Sequence, residues 1–180
     1  MKATVYIATS VDGFIARENG SVDWLPTGEG LGSDDYGYQD FINSVDALVM
    51  GRNTYELVLS FGSWPYGDKP VFVLSSKHLE IPESISNTVS VMSASPSEIV
   101  QRLADQGYEH LYIDGGKTIQ GFINEGLIQK LIITKVPILI GSGIPLFGAL
   151  PHDIRLHHLE TLQFDNGLVQ SKYEILKNNV

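Results

Sequence analysis

The sequence predicts an α/β fold in which helices cover both faces of a mixed, mostly parallel β-sheet. Apolar segments rich in β-branched residues alternate along the chain with segments of helical period, and such alternation implies crossover connections between parallel strands. Near the C-terminus two strand-like segments instead flank the turn signal "DNG" at 165–167. This arrangement predicts an antiparallel pair of strands at one edge of the sheet.

The predicted strands are short apolar runs bounded by glycine, proline or polar residues, as expected of strands buried in a layered fold. In chain order they occupy 3–8, 46–50, 70–75, 88–92, 110–114 and 130–140, followed by the C-terminal pair at 154–164 and 168–176.

The predicted helices occupy 34–45, 53–61, 95–107 and 117–126. The third has the clearest boundaries. Ser95 is placed as its N-cap, Pro96 as its first residue and Glu98 as the partner in a capping box, and Gly107 ends it.

Length and composition indicate one domain spanning residues 1–180, with 43% apolar and 18% charged residues. The absence of cysteine excludes disulfides, thiolate nucleophiles and cysteine-ligated metal. The net charge of −9 repels polyanions, so we expect no nucleic-acid partner. Without a signal peptide or a long apolar segment, the sequence predicts a cytoplasmic protein with no membrane partner.

Three predicted strand ends carry residues suited to binding anions. Because the carboxyl ends of parallel strands meet at one edge of a sheet, their loops are expected to share a rim. Glycine allows close backbone approach, helix-initial N–H groups lack partners, and a basic side chain supplies charge. The residues are Gly51, Arg52, Asn53 and Thr54 after the second strand, Ser75, Ser76 and Lys77 after the third, and Gly115, Gly116, Lys117 and Thr118 after the fifth.

Each of these sites taken alone has a simpler interpretation, since glycine after a strand is ordinary turn chemistry and a basic residue in a first helical turn is usually solvated. Three such loops expected at the same edge of the sheet favour a ligand with several phosphates. The sequence contains neither G-x-G-x-x-G nor G-x-x-x-x-G-K-[ST], so it supports neither a Rossmann nor a P-loop site.

These motifs, in this order, resemble the dihydrofolate reductase fold family, and more closely its branch containing the reductase domain of riboflavin biosynthesis. The matching segments are "YIATSVDGFIA", "DWLP", "VMGRNTYE", "VLSSK", "YIDGGKTIQGFI" and "PILIGSGIPLF", which together span most of the chain.

The resemblance implies NADPH as cofactor. It places Arg52 and Thr54 near the phosphates, Ser75, Ser76 and Lys77 near the adenosine 2′-phosphate, and Gly115 to Ile119 around the pyrophosphate. By the same resemblance, the Gly115–Gly116 peptide is expected to be cis.

The substrate side is less clearly marked. Asp12, Trp24 and Asp35 are the candidates, Trp24 because its ring can stack on a planar heterocycle. The carboxylates Glu29, Asp34 and Asp35 do not stand at the spacing of folate-reducing members after "WLP", and as helix-start residues the aspartates are also suited to capping. Riboflavin-type reductases tend to carry a lysine where this chain has Phe14.

We therefore expect an NADPH-dependent reductase of a small heterocycle, either a riboflavin precursor of the phosphoribosylaminouracil type or a pterin. Two alternatives remain open: an NADP-binding regulatory or scaffold protein without catalysis, and a phosphosugar-binding transferase. The apolar length of 130–140 and the C-terminal strands suggest an exposed sheet edge or face that a twofold partner would cover, so a homodimer is expected. The five histidines show no metal-ligand spacing, and no metal is expected.

Overall fold

The sheet of the computed structural model, which describes residues 1–26 and 35–176, contains eight strands in the order β5-β4-β3-β6-β1-β7-β10-β9. The first six strands of this order, from β5 through β4, β3, β6 and β1 to β7, run parallel to one another. Strand β10 is antiparallel to β7, and β9 is antiparallel to β10. The strands are β1 Lys2–Ser10, β3 Ala47–Gly51, β4 Val71–Leu74, β5 Val89–Met92, β6 His110–Asp114, β7 Lys130–Val136, β9 Leu156–Gln163 and β10 Val169–Ile175. The predicted mixed, mostly parallel sheet is confirmed.

Two short strands that were not predicted from the sequence pair with each other outside the main sheet. They are β2 Phe14–Ala16 and β8 Ile144–Pro145. The predicted strand at 130–140 ends early, at Val136. Proline at position 137 explains the early end, because proline has no N–H to donate to a strand ladder.

Four α-helices in the described part of the chain form the outer layers: α1 Tyr38–Ser44, α2 Arg52–Ser60, α3 Pro96–Asp105 and α4 Gly116–Asn124. Phe41 of α1 and Tyr55 of α2 pack in one core cluster with Leu48 and Met50 of β3. The other two helices pack on the opposite face of the sheet, through residues such as Ile99, Leu103, Ile119 and Phe122. The predicted three-layer arrangement is therefore confirmed, and α1 and α2 cover one face while α3 and α4 cover the other.

The capping box predicted for α3 is present. The Ser95 side chain accepts a hydrogen bond from the Glu98 N–H, and the Glu98 carboxylate accepts one from the Ser95 N–H at 2.9 Å. Helix α1 begins later than predicted, at Tyr38, after a turn in which Asp35 accepts from the N–H groups of Gly37 and Gln39. In the described part of the chain, no helix has the length and apolar character needed to cross a membrane.

Candidate functional site: two adjacent helix N-termini beside a buried carboxyl group

The three predicted anion-binding loops follow β3, β4 and β6, which are neighbours in the order β4-β3-β6. All three strands are parallel, so their carboxyl ends reach the same edge of the sheet. The expected convergence of these loops is thus found, and Arg52, Lys77 and Lys117 all lie on this rim.

The turns after β3 and β6 interlock through glycine. A Cβ atom on Gly115 would lie 2.5 Å from Thr54 Oγ1, and one on Gly51 would lie 2.9 Å from Thr118 Oγ1. Neither contact is tolerable for a real side chain, so the two helix beginnings can approach each other only because both positions are glycine.

Helices α2 and α4 have the glycines Gly51 and Gly115 as N-cap residues and therefore no side-chain cap, in contrast to α3 with its complete capping box. The first-turn N–H groups of a helix have no partner within the helix and concentrate positive potential. Two such uncapped N-termini lie side by side, which suits a ligand with negatively charged groups.

The remaining residues of the three loops are placed as follows. Arg52 donates through Nε to Glu56 at 2.6 Å, and Asn53 is exposed. Ser75 is occupied locally, since its hydroxyl accepts from the Lys77 N–H and donates to the Lys77 carbonyl, whereas Ser76 and Lys77 are exposed.

In the third loop Lys117 is exposed, but Ile119 is fully buried in the core and its N–H donates to the Gly115 carbonyl. Of the residues from Gly115 to Ile119, Ile119 is therefore the one least available to a ligand.

The expected cis peptide between Gly115 and Gly116 is wrong, because the described chain contains no cis bond. Gly115 instead has φ +92°, a conformation that side chains rarely adopt. The positive φ angle redirects the chain from β6 into α4 with an ordinary trans peptide.

A largely desolvated carboxyl group that the sequence interpretation did not select lies at the same rim, on a residue that is itself only half-buried. Asp114 is the last residue of β6, directly before the double glycine, and its Oδ1 accepts from the Gly115 N–H at 2.8 Å. Burial raises its pKa from 3.8 to about 6, although the Gly115 N–H and the nearby Tyr112 hydroxyl act in the opposite direction. Such a carboxyl group exchanges its proton close to neutral pH.

Three tyrosines surround this carboxyl group on the α1/α2 face. Burial raises the pKa of Tyr38, Tyr66 and Tyr112, and the negative charge of Asp114 raises each of them further. We call Asp114 and these three tyrosines the Asp114 cluster. Tyr6 of β1 borders it, with its ring stacked at 4.9 Å on Phe41.

The predicted substrate-side residues have well-defined positions. Asp12 accepts hydrogen bonds from the N–H groups of Ile140 and Gly141, at 3.3 and 2.8 Å, so it ties the turn after β1 to the loop after β7. Ser10 and these N–H groups lower its pKa. Asp35 caps the turn before α1, and its pKa is lowered by the N–H groups of Gln39 and Gly37. Glu29 and Asp34 lie outside the described residues.

Trp24 is buried, and its indole N–H has no hydrogen-bond partner within the described residues. The indole N–H of Trp64, whose ring packs edge-on against Tyr66 at 5.0 Å, is in the same situation. Buried donors normally find a partner, so these two N–H groups are exceptions among the described residues. No group of three or more potential metal-ligating side chains occurs in residues 1–26 and 35–176.

Comparison with known proteins places this geometry in a family. Residues 2–170 match the model of the RibD C-terminal domain. The chain is 38% identical over 166 residues to the uncharacterized protein YwjB of Bacillus subtilis, covering 91% of this chain and 92% of that protein.

Two solved structures resemble the chain over nearly all of its length. A putative riboflavin biosynthesis protein from Shewanella sp. PV-4 has 40% identity and a TM-score of 0.89, with 98% of this chain and 100% of that chain covered. Dihydrofolate reductase from Enterococcus faecalis, solved with NADP(H), has 18% identity and a TM-score of 0.67, with 98% and 97% covered, and shows the fold alone. The resemblance inferred from the motifs is confirmed: the chain has the dihydrofolate reductase fold and belongs to the RibD C-terminal domain family.

Proposed function

We propose that the protein is an NADPH-dependent reductase of a small heterocycle, of the riboflavin-precursor or the pterin type. The observation that carries this proposal is the pair of interlocked, uncapped helix N-termini beside the buried Asp114 carboxyl group. The first feature suits a dinucleotide's phosphates, and the second suits proton transfer next to it. The family and the solved NADP(H) complex of a protein with the same fold support the choice of cofactor.

The residues available at the rim fit NADPH. The first-turn N–H groups of α2 and α4 would receive the pyrophosphate, with Arg52 and Thr54 beside it. Ser76 and Lys77 provide further donors and charge for the adenosine 2′-phosphate side, and Lys117 adds charge near the pyrophosphate. The net charge of −9 means that this binding depends on these few groups and not on the overall field of the protein.

When bound, NADPH supplies a hydride. Reduction of a C=N or C=O bond also requires one proton, and Asp114 can hold it, because its pKa of about 6 leaves a protonated fraction near neutral pH. Tyr38, Tyr66 and the apolar side chains around them keep water away from this carboxyl group. Asp12, by holding the loop after β7 against the turn after β1, positions the wall of the site and is proposed as a positioning residue.

Two measurements test the proposal. Fluorescence titration should show binding of NADPH with preference over NADH, and stopped-flow absorbance should show NADPH oxidation with at least one member of a panel of pterins, flavin precursors and quinones. Absence of NADPH binding would reject the reductase. NADPH binding without oxidation by any member of the panel would favour the scaffold protein, and preference for a sugar phosphate over NADPH would favour the transferase.

The proposed assembly is a homodimer joined through β9. All eight residues of this edge strand are exposed, including Leu156, Leu159 and Leu162 at 38–46% of their full accessible surface. Leu159 lies in a register shift between β9 and β10, where it has no partner on β10. An edge strand of this length presents a row of N–H and C=O groups with which a strand of a second chain can pair.

Sedimentation velocity tests this assembly. We expect a dimer for the wild type and a monomer for Leu159→Lys. The matched control is Val91→Lys, on the opposite edge strand β5, where Val91 is 38% exposed. A monomeric wild type, or equal loss of the dimer in both variants, would contradict the assignment to β9.

A further inference from the structure

The small sheet of β2 and β8, which we call the β2/β8 sheet, packs against the first turn of α4. Gly116 is the first residue of this helix. A Cβ atom on Gly116 would lie 3.0 Å from Ile15 Cδ1 of β2 and 3.2 Å from Ile144 Cγ2 of β8. A side chain at this position would therefore push the two isoleucines away, and glycine lets them lie close to the helix backbone.

The N-terminus of α4 is thus bordered by two elements. Gly115, the residue before the helix, lies against Thr54 of α2, and Gly116 lies against the β2/β8 sheet. Packed side chains keep water from the helix start on these sides, and hydrogen bonds and charge interactions are stronger where the local dielectric is low. An anion at the α4 N-terminus is therefore expected to bind more tightly with the β2/β8 sheet in place than without it.

Gln120 joins α4 to the β2/β8 sheet by hydrogen bonds. Its Nε2 donates to the carbonyl oxygens of Pro145, at 3.0 Å, and Leu146, at 3.3 Å. Residues four positions apart are neighbours on a helix surface, so Gln120 and Gly116 present the same face of α4 to the β2/β8 sheet. The apolar contact at Gly116 and the hydrogen bonds of Gln120 therefore belong to one interface.

The other hydrogen bonds of this unit do not reach α4. The Leu146 N–H donates to the Gly13 carbonyl at 3.0 Å, and Asp12 accepts from the N–H groups of Ile140 and Gly141. These bonds hold the loops after β1 and β7 to each other. Within residues 1–26 and 35–176, the hydrogen bonds of Gln120 are the ones that link these loops to α4.

We infer that Gln120 is a positioning residue of the cofactor site. By holding β8 on the first turn of α4, it keeps the β2/β8 sheet in place as a wall beside the N–H groups that would receive the pyrophosphate. This role rests on the proposed function and adds to it, because Gln120 acts through the wall and not through contact with the cofactor.

The NADPH affinity of Gln120→Met, measured by fluorescence titration on the full chain, tests this role. Methionine nearly conserves the volume and the helix propensity of glutamine but cannot donate to the two carbonyl oxygens. We expect the dissociation constant to rise about fivefold, the size of one net hydrogen bond. The matched control is Gln101→Met, because Gln101 on α3 donates only to Asp105 of its own helix, at 2.8 Å, and its loss should leave the affinity unchanged.

Two further variants separate positioning from a merely structural role. Gln120→Lys, whose ammonium group can donate to the same carbonyl oxygens, should bind NADPH within about twofold of the wild type. Gly116→Ala should weaken binding by displacing Ile15 and Ile144. The combination of Gly116→Ala with Gln120→Met should then weaken binding less than the product of the two single effects, because both changes displace the same wall.

Unchanged NADPH affinity in Gln120→Met, with or without a lower Tm, would overturn the positioning role. Equal weakening in Gln101→Met, or independent effects of Gln120→Met and Gly116→Ala, would overturn it as well. Binding of NADPH to the wild type is measured first. Its absence would reject the proposed reductase, whereas binding that Gln120→Met does not alter would reject only the role of Gln120.

Discussion

Replacing Asp114 with Asn should stabilise the free protein at neutral pH while impairing its proposed activity. The carboxyl group is harder to ionise in the folded chain than in the unfolded chain, because burial raises its pKa from 3.8 to about 6. Ionised Asp114 therefore costs the folded state free energy. Asparagine removes that cost, and its carbonyl oxygen can still accept the hydrogen bond from the Gly115 N–H.

The size and pH dependence of this effect follow from linkage. Between the unfolded and folded pKa values the folded state binds more protons, so wild-type stability falls as pH rises from about 4 to about 6, and the full cost persists above that range. A shift of about two pKa units corresponds to an upper limit of about 3 kcal/mol. For a chain of this size, each 1 kcal/mol raises Tm by roughly 2–4 °C.

Thermal unfolding of both proteins from pH 4 to pH 8 measures this difference. We expect the stability gained by Asp114→Asn to be small near pH 4, to grow through pH 6 and to stay constant above it. Asp35→Asn is the matched control with the opposite sign, because the Gln39 and Gly37 N–H groups lower the pKa of Asp35 and stabilise its ionised form. A destabilised Asp114→Asn at pH 8, or a gain independent of pH, would refute the assignment of a buried, ionisation-resistant carboxyl group.

The other predictions concern the rim and one helix cap. Arg52→Ala should weaken NADPH binding by about 1.5–3 kcal/mol, as expected for loss of a charge-assisted hydrogen bond, and unchanged affinity in a titration would show that Arg52 is only solvated. Gly115→Ala should lower Tm more than Gly107→Ala, since both glycines have φ +92° but only at Gly115 does the added Cβ meet Thr54; equal losses would argue against the interlocked turns. Ser95→Ala should cost about 0.5–2 kcal/mol of unfolding free energy with no change in NADPH affinity, and denaturant unfolding would reveal a smaller loss if the capping box contributes nothing.

The elements of the fold were largely predictable because their signals are local. Alternating periodicity located the parallel strands and the four helices, and the Ser95 and Glu98 side chains fixed the start of α3 within their own turn. The strand at 130–140 was predicted too long, and the pairing of β2 with β8 was missed, because pairing between 14–16 and 144–145 depends on chain segments far apart in sequence.

In the candidate site, the convergence of the three strand-end loops on one rim was predicted from the sequence, whereas the Asp114 carboxyl group was not selected. Arg52, Lys77 and Lys117 each follow a recognisable strand, and the topology of parallel strands then forces their loops onto one edge. Asp114 is also a strand-end residue, but nothing in "HLYID" distinguishes an exposed carboxylate from a buried one. Asp12 stays a predicted substrate-side residue, and the sequence did not show that both its oxygens accept hydrogen bonds from backbone N–H groups 128 and 129 residues away.

The sequence by itself determined the order of strands and helices, the family and the placement of glycines and basic side chains at successive strand ends, since each is encoded within a few consecutive residues. Only the tertiary structure decided which carboxyl group is removed from contact with water, and this is the carboxyl group of Asp114. Tyr38 and Tyr66 reach Asp114 from segments about 76 and 48 positions away. Desolvation is a property of all the atoms that surround a group, so no short stretch of sequence can specify it.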